Sequence, residues 1–151
     1  MGTSGLFGFY YKGKFYMAYN HFDSSPDWLG ASLVKQIREA LDNGESKKWP
    51  DKLQEIKVVE SLSTPTEEDI SKLKPYTDMR ISVGWASLLG KTQGSLANML
   101  DAGYLENCVN DDGTPQWLEY NYVIDLDNNS FDWYSGSSFM ESFPFEALPE
   151  W

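Results

Sequence analysis

His21 is the one histidine in 151 residues, and imidazole is the side chain whose protonation changes nearest neutral pH. It stands in Tyr19-Asn20-His21-Phe22-Asp23-Ser24-Ser25-Pro26, with an amide before it and a carboxylate and two hydroxyls after it. Those residue types suit general acid–base work, which needs a base, a group that orients it and a proton within reach. Asp23 follows His21 by two residues, so on a continuing strand the pair shares a face and Asp23 orients the ring. Thr3 and Ser24 add hydroxyls that would position a substrate. The structural alternative is a strand end whose Asp23 or Ser24 satisfies a turn before Pro26, a residue that ends a strand. On sequence alone both readings stay open.

Three further groups have types that could do chemistry. Asp125 and Asp127 would share one strand face, as paired carboxylates holding a divalent cation do. Without a third ligand, a turn made by Asp127-Asn128-Asn129 is the simpler account, and no metal is expected. Cys108 lies in Glu106-Asn107-Cys108-Val109, among acids and away from any cation in sequence, so nothing there lowers its thiol pKa and a structural role is expected. Gln93-Gly94 interrupts a helical stretch, either to open a ligand pocket or as an ordinary turn between helices. No cofactor is expected.

The elements that must position these groups read as strands, then helices, then strands. Gly5 to Tyr11 is aromatic-rich and β-prone, Lys12-Gly13-Lys14 is a tight turn, and Phe15 to Tyr19 is the return strand. That hairpin carries His21 to its far end, beside Thr3 and Ser4. Asp27 is expected to cap a helix over residues 28–41, with Leu29, Leu33, Ile37 and Leu41 on one face and Asn43-Gly44 ending it. A short helix is expected over 51–59. Thr66 and Asp69 form a capping box for a helix that stops before Pro75. Trp85, Leu88 and Leu89 are expected in the core on another helix, and Leu96, Met99 and Leu100 on the next, to Gly103. Residues 117–124 are β-prone, Asp127 to Ser130 is a hairpin turn, and Phe131 to Tyr134 returns. The pattern predicts an α+β fold in a single domain, 1–151: an antiparallel sheet system from the N- and C-terminal strands, with helices packed on it.

Charge limits the partners. Residues 1–91 carry 12 basic and 12 acidic side chains, whereas residues 92–151 carry 11 acids and no Lys or Arg. The net charge of −11 therefore sits in the last sixty residues, and its field repels nucleic-acid phosphates and anionic membranes. No DNA or RNA polymer and no membrane is expected as partner. No apolar run reaches the roughly 18 residues of a membrane span. The start lacks the charged region of a secretory signal, and a lone cysteine forms no internal disulfide, so a cytoplasmic, reducing location is expected. A small anionic ligand held by Lys12, Lys14 or Arg38 remains compatible, with Phe7, Tyr19 or Trp28 stacking on a base.

Three motifs together resemble a family of uncharacterised proteins from phages and other large DNA viruses, with fungal relatives. The first is Gly5-Leu6-x-Gly8-Phe9, then Tyr19-Asn20-His21-Phe22-Asp23-Ser24, then Leu29-Gly30; the family motif is close to YNHFDSYP, and Ser25 stands where it has Tyr. The second is Trp85-x-x-Leu88-Leu89 with Gln93-Gly94-Ser95-Leu96. The third is Tyr120-x-Tyr122-Val123-Ile124-Asp125-Leu126-Asp127, ending in Leu148-Pro149. A weaker resemblance, to N-terminal-nucleophile hydrolases and class II glutamine amidotransferases, rests on the glycine-rich hairpin at the chain start and implies an Ntn-hydrolase-like sheet. The catalytic residue of those enzymes is the first of the mature chain, using its own amine as base. Here loss of Met1 leaves Gly2, which has no nucleophile, and Thr3 needs one further cleavage.

The viral resemblance implies a setting in an infected host cell. The expected function is hydrolysis of a small nucleotide-type immune signal such as a cyclic oligonucleotide. His21 would be acid/base, with Asp23 orienting it and Thr3 or Ser24 positioning the substrate. The first alternative is a sponge that binds such a signal without chemistry. The second is an amidase using Thr3.

Overall fold

A computed structural model describes residues 3–78 and 84–151. The chain is α+β. Strands β1 (Gly5–Tyr11) and β2 (Lys14–Asn20) form the expected hairpin around Lys12 and Gly13, whose φ values are 49° and 74°. β5 (Tyr120–Asp125), β6 (Ser130–Ser135) and β7 (Ser138–Pro144) form a meander. The five strands make one sheet in the order β2-β1-β5-β6-β7.

The sheet is mixed rather than antiparallel throughout, because β1 and β5 run parallel, with Gly5 opposite Tyr120 and Tyr10 opposite Asp125. The hairpin fills one edge of β1. The other edge takes a strand that arrives after about a hundred residues, well beyond the dozen or so that a crossover between parallel neighbours needs.

Both faces of the sheet are covered, which explains why β1 and β5 read as almost continuous apolar runs instead of alternating ones. Phe7, Phe9, Tyr122, Ile124 and Phe131 point to one face and are fully buried. Against them pack α1 (Ala31–Asn43), α2 (Trp49–Gln54) and α5 (Leu96–Ala102) through Leu33, Ile37, Leu53 and Met99. Leu6, Met17 and Val123 point to the other face, under Leu118 and Cys108. Each such buried side chain contributes about 1.5–3 kcal/mol.

Some helix boundaries differ from expectation. α1 is preceded by a wide π-type turn, Pro26–Gly30, in which Asp27 is a first-turn acid rather than the cap. It ends as expected at Gly44, whose φ of 83° closes it in the left-handed region. Over 51–59 the helix is shorter: it occupies Trp49–Gln54, and Lys57–Val59 is a strand, β3, parallel to β4 (Tyr104–Glu106). The β-branched pair Val58-Val59 suits that ladder better than a helix. α3 (Glu67–Leu73) has the reciprocal Thr66–Asp69 capping box and stops before Pro75. Trp85, Leu88 and Leu89, on and just after α4 (Trp85–Leu88), are buried as expected. They pack on Val59, Leu73 and Tyr104 in a second core, not on the five-stranded sheet.

Candidate functional site

Two places bear on function, one at each end of the β1–β2 hairpin. At the far end of β2 the chain turns through His21 to Ser24 and is tied down at nearly every step. The buried Asn20 amide donates to the Phe22 carbonyl at 2.7 Å and to Ser24 Oγ at 2.9 Å. Ser24 is fully buried; its N–H donates to Thr3 Oγ1 at 2.8 Å, and its carbonyl accepts from the Tyr122 hydroxyl at 2.7 Å. Gly5 lies beneath, where a Cβ would stand 2.8 Å from Ser24 Cβ and 2.5 Å from the Tyr120 carbonyl oxygen. Thr3 and Ser24 thus meet, as the hairpin predicts, and their hydroxyls hold the turn.

His21 stands on the outside of this corner. The residue is exposed, its Nδ1 is 2.6 Å from the Tyr19 hydroxyl, and its ring centre lies 4.3 Å from that of Phe22 in an edge-on arrangement. Burial raises the Tyr19 pKa. The backbone N–H of His21 donates to Gln93 Oε1 at 2.7 Å. Asp23 makes no described hydrogen bond with His21: the strand ends at Asn20, and Asp23 takes a φ of 54°, which breaks the shared-face relation of a strand. Its carbonyl instead accepts from Leu29 N–H at 3.0 Å. Gln93-Gly94 forms a turn, with the Gly94 carbonyl accepting from the Gln36 amide at 2.7 Å. The void beside Tyr19 and Gln93 is about 30 Å³, room for a water rather than a substrate.

The residues expected to hold a ligand are scattered. Phe7 is in the core, so its ring has no free face. Trp28 is 65% exposed on the turn before α1. Arg38 donates to the Leu148 and Pro149 carbonyls at 3.2 and 2.9 Å, clamping the segment that ends in Trp151. Lys12 and Lys14 lie at the opposite end of a seven-residue strand from His21, roughly 20 Å away at the rise of an extended chain. Asp127 accepts the Lys12 and Gly13 N–H groups at 2.8 and 3.2 Å, while Asp125 accepts the N–H groups of Asp127 and Asn128, both at 3.0 Å. These carboxylates join two hairpin turns, and among the described residues no cluster of His, Cys, Asp and Glu could hold a metal.

Lys14 belongs to the second place, a cleft of about 310 Å³ along the outer edge of β2. One wall is the hairpin turn at Gly13 and the start of β2 to Met17, and the other is the chain from Leu105 to Asp111. Val58, Leu105 and Val109 supply its apolar lining, and Glu106, Asn107, Asn110 and Asp111 line it from the second wall together with Lys14 from the first. Lys14 Nζ sits 5.1 Å from the centre of the Tyr16 ring. Cys108 lines the cleft, its thiol pushed up to about 12 by burial and the Glu106 charge. Its Sγ donates to the Glu106 carbonyl at 3.3 Å. Of these residues, Lys14 alone carried a ligand role in the sequence and Cys108 a structural one, because the walls are about ninety residues apart. The usable signal was an edge-forming hairpin beside an acid- and amide-rich stretch.

No family model matches the chain, and no curated protein or solved structure does. Among the described residues no helix is long and apolar enough to cross a membrane.

Proposed function

We propose that the protein is a binding module that sequesters a small ligand in the cleft beside β2 and releases it chemically unchanged. The cleft itself carries this reading: its volume of about 310 Å³ falls at the lower end of the roughly 300–1,000 Å³ typical of ligand pockets, and its lining mixes apolar side chains with charged and amide groups that can fix a ligand's orientation. Catalysis at the His21 corner has no such support. Among the described residues the void at that corner is about 30 Å³, the Thr3 and Ser24 hydroxyls bond within the turn, and Asp23 makes no described hydrogen bond to the ring. The resemblance to proteins of phages and large DNA viruses supplies a setting in which holding a host signal without turnover has a use. One lysine opposed by two carboxylates disfavours a polyphosphate, so within the nucleotide class a ligand of low charge fits best.

Cys108 offers a reporter. The protein is incubated separately with nucleosides, nucleoside monophosphates, cyclic oligonucleotides and short peptides, and alkylation of Cys108 is followed. At least one compound is expected to slow labelling, to be recovered intact after denaturation, and to act equally well on His21→Ala. Turnover that disappears in His21→Ala would restore the hydrolase. Labelling that no compound slows would remove the module.

A further inference from the structure

Resting on the cleft as the binding site, we infer that its ligand is an extended peptide segment, bound through its main chain as an added strand on β2.

The backbone of β2 is prepared for this. The two-residue turn at Lys12-Gly13 makes Tyr11 and Lys14 the closing pair of the hairpin, and the closing pair of such a turn is hydrogen-bonded. Pairing then alternates, so Tyr10 and Phe15 are opposite each other without bonds between them. The Tyr10 carbonyl confirms this by accepting from Leu126 N–H at 2.8 Å, on the β5 side. Hence the N–H and C=O groups of Phe15 and Met17 point outward, into the cleft. Among the described residues no strand pairs with that edge.

The facing wall shows the same preparation. Lys57 N–H donates to the Gly103 carbonyl and Asn107 N–H to the Val59 carbonyl, at 2.9 and 2.7 Å. In the parallel ladder those bonds commit residues 103, 105 and 107 to β3 and turn the backbone of Glu106 away from it, where its carbonyl accepts from Cys108 Sγ at 3.3 Å. The two sheets remain separate. At about 3.3 Å per residue, the edge from Lys14 to Met17 accepts roughly three residues of an extended chain.

The other sheet edge is treated differently. β7 carries a bulge opposite Trp133 and Tyr134, and Pro144 near its end; both are devices that stop strands from pairing. β2 has neither.

Charge selects among peptides. Glu106 and Asp111 form no described ion pair, and the molecule carries a net −11. A segment alternating an apolar residue with Lys or Arg places its apolar side chain on Val58 and Val109 and its cations on the two acids. The same field speeds the encounter at low salt.

The test uses acetyl-Lys-Val-Lys-Val-Lys-amide and a twin with both valine nitrogens methylated, followed by NMR of the full chain. The parent peptide is expected to shift cleft resonances and to slow amide exchange at Phe15 and Met17. Methylation, which removes main-chain donors and keeps the side chains, is expected to weaken binding by about tenfold or more. The double variant Glu106→Gln, Asp111→Asn is expected to weaken the parent peptide and flatten its salt dependence. Equal affinity for the two peptides, or binding that leaves Phe15 and Met17 exchanging freely, would overturn strand addition. If a nucleotide slows Cys108 labelling while the peptide leaves the cleft untouched, the ligand class is wrong and the module stands. If neither acts on the cleft, both fall.

Discussion

Cys108 shows how a side chain's surroundings reverse the chemistry its type suggests. A thiolate is the reactive form, and here burial and the Glu106 charge move the pKa from 9.0 to about 12. At pH 8 the thiolate fraction should therefore be about 10³-fold below that of an ordinary cysteine. Alkylation by iodoacetamide should be slow at pH 8 in the native protein and rapid in denaturant. Native labelling at the rate of free cysteine would place the thiol in solvent. The sequence showed the acids around Cys108 but could not show its burial. It likewise displayed His21 and Asp23 at strand spacing, while the turn that separates them depends on bonds from Thr3, Gln93 and Tyr122 that are remote in the chain.

Elements whose determinants are local were legible. The Thr66–Asp69 box, the Gly44 stop and the two-residue hairpin turn each follow from a few neighbouring residues. The parallel β1–β5 pairing and β3 were not, because both depend on partners far along the chain. The capping box permits a quantitative check. Thr66 Oγ1 accepts from Asp69 N–H at 3.1 Å, and Asp69 accepts from Thr66 N–H at 2.9 Å and from the Tyr104 hydroxyl at 2.8 Å. Thr66→Ala should destabilise the protein by about 1 kcal/mol. The Thr66 backbone bond, with the Tyr104 hydroxyl next, holds the Asp69 carboxyl below its ordinary value of 3.8. Its contribution is then complete at pH values above the ordinary carboxylate pKa and is lost as pH falls through the lower folded value. Denaturation of wild type and Asp69→Asn should show a stability gap at pH 7 that narrows below pH 4. A gap that is constant with pH would mean that Asp69 is not held as its contacts indicate.

Besides the small cluster of Leu6, Met17 and Val123 on the other sheet face, the described residues form two unequal cores joined by α5 and β4. The larger wraps one face of the five-stranded sheet with α1, α2 and α5. The smaller gathers Val59, Leu73, Trp85, Leu88, Leu89, Ala102 and Tyr104 around short elements. Trp85 stacks on Tyr104 at 6.0 Å and donates to the Ser63 carbonyl at 3.0 Å. Its strands have three residues each, and few apolar groups back them, so it should open before the sheet does. Substitutions in the two cores then have asymmetric effects on amide exchange. Leu33→Ala removes packing that is intact both in the native state and in the state with only the smaller core open. It should lower the protection of β1 and β5 amides by about 2–5 kcal/mol and leave α3 amides unchanged. Leu88→Ala destabilises the native state relative to both openings, so it should lower protection in α3 and in the sheet alike. If Leu33→Ala reduces protection in α3 as much as in β1, the two cores unfold as one cooperative unit, and the smaller core has no independent opening.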